Sequence, residues 1–247
     1  MITSKQNSQI LAAKKLKEKK GRQEGCTFLI EGAKLVADAF SCGLEVVKIF
    51  VTPERANEFE NYAGKCEIVL VSEAVIKAIC DAETNQGVAA IIAKPQAEPY
   101  DKKSALVLDR LQDPKNLGSI LRTASATGVN TVFLIDCADP FSPKALRAGM
   151  SGQFLLNLIE ADVKSVKEQT KGMQVLAADM CGENIFGFKA EEDFVLVLGN
   201  EGGGISGELR SVCTHTVSVP MKNNFDSLNV AVACGILLYQ LISGIKN

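Results

Sequence analysis

Histidine is nearly absent: His215 is the only one in 247 residues. A Cys/His zinc site is therefore not expected, and the eight cysteines do not restore one, because no two stand at C-x-x-C spacing. Scattered between positions 26 and 234, they read as reduced thiols acting as small hydrophobes, not as the disulfide framework of a short secreted chain. A long apolar run is missing too. The longest candidate, residues 229–245, is interrupted by Tyr239, Gln240, Ser243 and Gly244 and falls short of the ~18 apolar residues of a membrane span. The opening MITSKQNSQILAAKK has no signal-peptide core. No Walker A sequence occurs, so nucleotide hydrolysis has no support. These absences point to a cytoplasmic chain with no metal and no membrane partner.

What is present suits a folded protein of one or two domains. Hydrophobic residues make up 47% and charged residues 23%, ordinary globular usage. A chain of this length buries roughly 70–75% of its unfolded surface and needs no covalent staple. The formal net charge of −2 says little, but its distribution says more. Residues 1–23 carry a local balance of +6, leaving −8 for the rest. SQILAAKKLKEKKGR reads as one helix with a basic face. Lys14, Lys15, Lys19, Lys20 and Arg22 are candidates for neutralising phosphates and releasing counterions.

An α/β rhythm follows the basic arm. TFLIEG is a short apolar run, EGAKLVADAFSCG a helix with Gly43 as a C-cap candidate, and EVVKIFV a strand. PERANEFENYAG is a helix, EIVLV a strand, SEAVIKAICDAE a helix opened by Ser72, and GVAAIIA closes the series. KPQAEPYDKK then marks a boundary. We therefore expect a domain over 1–95, a linker over 96–104 and a second domain over 105–247. In the second domain, ALVLD, TVFLI, QVLAAD, FVLVL and THTVSV are strands. Helices are expected near 116–128, 142–150, 162–171, 206–212 and 228–243. Continuous Val/Leu/Ile strands separated by helices imply a parallel sheet covered on both faces, with ligands beyond its carboxyl edge. Polar or glycine-rich segments stand at three such exits: DRLQDPKNLGS, GNEGGGIS and PMKNNFDSLN.

One of these, Gly202 to Gly207, satisfies G-x-G-x-x-G after a strand. It would, however, be the last βαβ unit of the chain, and Glu201 puts a carboxylate where a pyrophosphate would approach. A tight turn explains it better than a dinucleotide site.

Taken together, the three exits resemble the motifs of the SpoU family of RNA ribose 2′-O-methyltransferases in the SPOUT superfamily. The first motif reads Asn116-Leu-Gly118-Ser-Ile-Leu-Arg122-Thr-Ala124, the second Gly199-Asn200-Glu201-Gly202, the third Val219-Pro220-Met221 with Ser227-Leu228-Asn229-Val230. FLIEGAKLVADA resembles, more loosely, the substrate-binding domain often fused ahead of this methylase. Two departures stand out. Asn223 replaces a common glycine, a tolerable exchange in a left-handed turn. Gly149-Met-Ser151-Gly152 replaces a Ser-x-Gly-Ala pattern, removing a serine hydroxyl at 149. The resemblance implies an α/β fold with a deep trefoil knot and an L30e-like N-terminal domain. It also implies S-adenosylmethionine as methyl donor, RNA as partner, with 23S ribosomal RNA ahead of transfer RNA, and a homodimer sharing its active sites.

Residue by residue, the resemblance puts the donor against Gly199, Asn200, Gly202, Val219, Met221 and Leu228. It gives Arg122, Asn116, Glu201, Ser227 and Asn229 roles in catalysis. Local chemistry offers plainer readings beside these: Asn116 as the N-cap of its helix, Ser227 as the N-cap of the last one, and Glu201 as a partner for Asn229 or Arg122. The family arginine has been cast as a general base. Deprotonating a guanidinium at neutral pH costs roughly 7–9 kcal/mol, and a neighbouring phosphate raises that cost. A charged Arg122 that clamps phosphate and stabilises the developing 2′-oxyanion is the better expectation. A non-catalytic RNA-binding relative is the alternative reading, and a dinucleotide oxidoreductase a third.

Overall fold

The computed structural model describes residues 1–81, 86–223 and 227–245. The chain forms two compact units. One comprises Met1–Gln96 with Phe141–Leu146, the other Ala97–Pro140 with Arg147–Asn247.

The first unit begins with α1 (Ser8–Lys15) and α2 (Lys19–Gly25), where one basic helix was expected. Arg22 explains the break. Its guanidinium turns inward to 2% exposure and donates to the carbonyls of Leu16 and Lys17, which the interrupted helix leaves free. Asn7 caps α1 by accepting from the Gln9 amide. Then come β1 (Thr27–Glu31), α3 (Ala33–Ser41), β2 (Val46–Val51), a 3₁₀ helix (Pro53–Tyr62), β3 (Glu67–Leu70), α4 (Glu73–Ile79) and β4 (Val88–Ala93). The expected α-helix over 53–64 is thus a 3₁₀ segment opened by Pro53. The helix expected over 72–83 ends at Ile79, and residues 82–83 lie outside the described residues. Gly43 follows α3 at φ +74°, as a glycine beyond a helix end does. The sheet order is β1-β4-β2-β3, antiparallel except for β2 with β3. Ile10, Ala13 and Leu16 of the arm pack with Phe50, Val75, Ile76 and Ile79. One face of the basic arm is therefore core.

The second unit carries β5 (Ala105–Asp109), α5 (Pro114–Thr127), β6 (Thr131–Ile135), β7 (Asn157–Glu160), α7 (Val163–Gln169), β8 (Gln174–Asn184), β9 (Phe194–Leu198), α8 (Gly207–Arg210), β10 (His215–Ser218) and α9 (Val230–Ile245), with α6 (Pro143–Gly149) spanning the division between units. All five strand pairings are parallel, in the order β10-β8-β9-β5-β6-β7. β5, β6 and β9 are buried at every residue, which is why they read as unbroken apolar runs. β7 carries no such signal, because it is a half-exposed edge strand with two aliphatic residues. β8 runs five residues past the expected strand QVLAAD and pairs Glu183 and Asn184 with the end of β10. α5 and α9 pack together through the cluster holding Leu117, Ile120, Leu121, Cys234, Leu237 and Leu238.

The strand order runs outward from β5 to β6 and β7, and to the other side through β9. The carboxyl ends of β5 and β9 therefore flank a topological switch point, where ligands of open parallel sheets bind. No helix among the described residues is long and apolar enough to cross a membrane.

Candidate active site

Each of the three strand exits is ordered by its own side chains before it meets the others. After β5, Asp113 caps α5 by accepting from the Lys115 amide at 2.8 Å, with Pro114 at the first helical position. Asn116 is therefore inside the helix, not its cap. Its amide is free for other work. After β9, Asn200 folds the glycine turn around itself: its Oδ1 accepts from the Gly202 and Gly203 amides at 2.9 and 3.0 Å, and its Nδ2 donates to the Arg110 carbonyl at 2.8 Å. Gly199 is needed because a Cβ there would lie 2.2 Å from the Gly204 carbonyl carbon. After β10, Asn229 caps α9, its Oδ1 accepting from the Ala231 amide at 2.9 Å. Ser227, the expected cap, lies two residues too early. Residues 224–226 of that loop are outside the described residues.

The exits then join. Asn116 Nδ2 donates to Glu201 Oε1 at 2.8 Å, and Asn116 Oδ1 accepts from Asn229 Nδ2 at 3.0 Å. Both ends of one amide are used, fixing its orientation. A carboxylate, an amide and a capping amide thus form one hydrogen-bonded chain across segments 85 and 113 residues apart in sequence.

Beside this chain lies a cavity of about 560 Å3, within the range of small-molecule sites. Gly199, Asn200, Glu201 and Gly202 form one part of its lining, Val219 and Met221 a second, and Ser227, Leu228 and Asn229 a third. Asn116 and Arg122 are not in the lining. Arg122 is exposed on α5, about 9 Å along the helix and about 120° around it from Asn116 at 1.5 Å and 100° per residue. Its expected contact with Glu201 is taken by Asn116. Asn200 lines the cavity but spends its side chain on the turn, so its part is to shape the wall.

Sequence reasoning missed Asp179 and Met180, where β8 leaves its apolar run, and the core residues Leu198, Val217 and Leu237. The signal for Asp179 was a carboxylate at the carboxyl end of a parallel strand. It pairs with Arg210, and the backbone amides it accepts from hold its carboxyl below the usual range. The lining holds two carboxylates, Asp179 and Glu201, and no lysine, arginine or histidine among the described residues. Such a pocket favours a ligand with net positive charge and a flat apolar part. The glycine-rich turn does not open a dinucleotide-binding helix, since α8 is four residues long.

The remaining candidates stand on the first unit. Lys15, Lys19 and Lys20 are exposed, Lys20 facing Glu24 at 3.7 Å, and Lys14 is half-buried with its Nζ 3.4 Å from the Lys5 carbonyl. Arg22 is a correction: buried and spent on two carbonyls, it is a structural brace and not a phosphate ligand. Of the cysteines, Cys80 and Cys234 are buried as packed thiols, four are half-buried, and Cys26 and Cys181 are exposed. Burial pushes Cys234 up to about 12 and Cys213 up to about 11. No cluster of His, Cys, Asp and Glu fit for a metal occurs among the described residues.

Known proteins give the same outline. Residues 103–239 match the model of the SpoU rRNA methylase family, and residues 7–90 match that of the MRM3-like substrate binding domain. The chain is 33% identical over 244 residues to the 23S rRNA (guanosine(2553)-2′-O)-methyltransferase RlmP of Bacillus subtilis, covering 97% of this chain and 98% of that one. Among solved structures it is similar to an AdoMet-bound rRNA methyltransferase from Sinorhizobium meliloti, with TM-score 0.88 and 29% identity over 97% of this chain and 95% of that one. It is also similar to a putative RNA methyltransferase of the TrmH family from Porphyromonas gingivalis, with TM-score 0.86 and 30% identity over 97% and 98% of the two chains. With three turns meeting as the family motifs require and its model matched over more than half the chain, this protein belongs to the SpoU methylase family.

Proposed function

We propose that the protein transfers a methyl group from S-adenosylmethionine to a ribose 2′-hydroxyl of RNA, with 23S ribosomal RNA as first substrate and transfer RNA as second. The observation that carries this reading is the hydrogen-bonded chain Glu201–Asn116–Asn229 beside a carboxylate-lined, cation-free cavity. Glu201, whose partner Asn116 is neutral, complements a donor with net charge +1, while Asp179 is paired with Arg210; Leu198, Val217, Val219 and Leu228 offer apolar surface to an adenine. At Gly199 and Gly202 the lining carries no side chain, so the donor can approach the backbone closely. When bound, the donor supplies an electrophilic methyl on a sulfonium.

The chain's own residues do the rest. Asn116 and Asn229, locked to each other and to Glu201, present fixed polar groups to the incoming ribose. Arg122 is an exposed guanidinium on α5, matched to a substrate phosphate and to the charge developing on the 2′-oxygen. Water or the substrate phosphate takes the proton, so no side chain acts as base. Lys15, Lys19 and Lys20, with Lys14 at the edge, grip structured RNA through the first unit.

Arg122 lies outside the cavity lining and on a different side of α5 from Asn116, which supports a site completed by a second copy. Val232 and Tyr239, 53% and 60% exposed on α9, offer apolar surface for that copy. A homodimer with shared sites is therefore part of the proposal. The domain limits 1–95 and 105–247, the trefoil knot, the L30e-like character of the first unit and a cytoplasmic location rest on the family reading and complete it. Purified protein given labelled S-adenosylmethionine and 23S ribosomal RNA from a strain lacking this gene will place label in one 2′-O-methylated nucleotide. Label in a base, or none in either RNA, overturns the proposal.

A further inference from the structure

The glycine turn that walls the cavity is held from outside by two residues that no motif includes. Asp109 ends β5 at 1% exposure, and a carboxylate so buried needs compensation. It accepts from the Ser206 amide at 2.7 Å and from Arg110 Nε at 3.0 Å. Arg110 adopts φ +57°, a left-handed conformation disfavoured for any residue with a Cβ. From that position its Nη2 lies 3.3 Å from Asp109 Oδ2 and 3.2 Å from the Gly204 carbonyl, and its own carbonyl accepts from Asn200. Its amide donates to the Ile135 carbonyl at 2.8 Å, fixing the turn to β6 as well. Both ends of the 199–206 turn, at Asn200 and at Gly204 to Ser206, are thus tied to one dipeptide across the switch point.

A glycine at 110 would meet the backbone's demand without strain, yet an arginine stands there. The geometry points to Asp109 and Arg110 as positioning residues that set the donor-binding turn, with the guanidinium as the clamp between β5 and Gly204. This rests on the donor reading of the cavity and deepens it. Backbone strain at such a place persists only where surrounding contacts hold it, and here those contacts are the ones that fix the wall of the cavity.

Arg110→Gly deletes the clamp and relaxes the backbone, but leaves the buried Asp109 with the Ser206 amide alone, so it is expected to melt below wild type. In the full chain, titration with S-adenosylhomocysteine by calorimetry, at a temperature where both proteins are folded, is expected to give a dissociation constant raised about tenfold, the effect of losing charge-assisted hydrogen bonds. Arg110→Lys keeps the charge but not the planar fork, and is expected to recover part of the affinity. Wild-type protein that takes up no S-adenosylhomocysteine overturns the donor reading itself. Wild type and Arg110→Gly binding equally well overturns the clamp alone. If Arg110→Gly melts below the assay temperature, Arg110→Lys decides by the same comparison: a weaker dissociation constant at unchanged melting supports the clamp, an unchanged one overturns it.

Discussion

In the first unit the cationic side chains offered to RNA stand on two short helices and make no hydrogen-bonded chain with one another. In the second unit the polar side chains of the site point at one another. Lys15, Lys19 and Lys20 have solvent around them, whereas Asn116 has Glu201 on one side and Asn229 on the other. The first arrangement tolerates loss of a member, because each charge adds a similar screened increment. The second is more sensitive, because removing one group releases its neighbours from their shared orientation. Arg122 belongs to neither pattern: it is exposed like the lysines but single.

The sharpest way to break this contrast is at Arg122. Arg122→Ala is expected to lower methyl transfer by about a hundredfold to a thousandfold, the scale of losing an oxyanion-stabilising group, while donor affinity stays within about twofold. Transfer rate and calorimetric titration on the same preparation check this. Asn116→Ala comes next, with an expected loss of about a hundredfold in kcat/KM as Glu201 and Asn229 lose the amide that fixes their orientation. Replacing Lys15, Lys19 and Lys20 together by glutamine is expected to weaken RNA binding about tenfold near 0.15 M salt and to reduce the salt slope by about two to three. Binding isotherms at several salt concentrations read both. Replacing the buried Arg22 instead is expected to lower the melting temperature and leave that slope unchanged. The smallest effect belongs to Asp113→Ala, which removes the cap of α5 and costs about 1 kcal/mol in denaturant unfolding, with donor affinity preserved.

The same contrast governs what could be read from the sequence. The apolar strands β5, β6 and β9 were legible because parallel strands buried on both faces leave an unbroken hydrophobic run. β7 was not, since an edge strand with Leu158 and Ile159 alone carries no period. The cavity residues Gly199, Glu201, Val219, Leu228 and Asn229 were legible as motif members. Their roles in the structure were less so. Asn116 and Ser227 looked like caps, but Asp113 and Asn229 hold those positions, and candidates two or three residues apart are indistinguishable before the helix start is known. Arg22 looked like its lysine neighbours in a basic run, and its inward turn depends on the free carbonyls of Leu16 and Lys17, which no linear pattern shows. Asp179, Asp109 and Arg110 escaped notice because their function depends on which strands become neighbours, which a linear pattern does not carry.

The claim beneath all of this is that three strand exits act as one site through the amide of Asn116. A double-mutant cycle of Asn116→Ala and Glu201→Ala on kcat/KM for methyl transfer tests it most directly. A coupling of about 1–3 kcal/mol is expected, as for residues sharing a hydrogen-bond network. Losses that simply add would contradict the account.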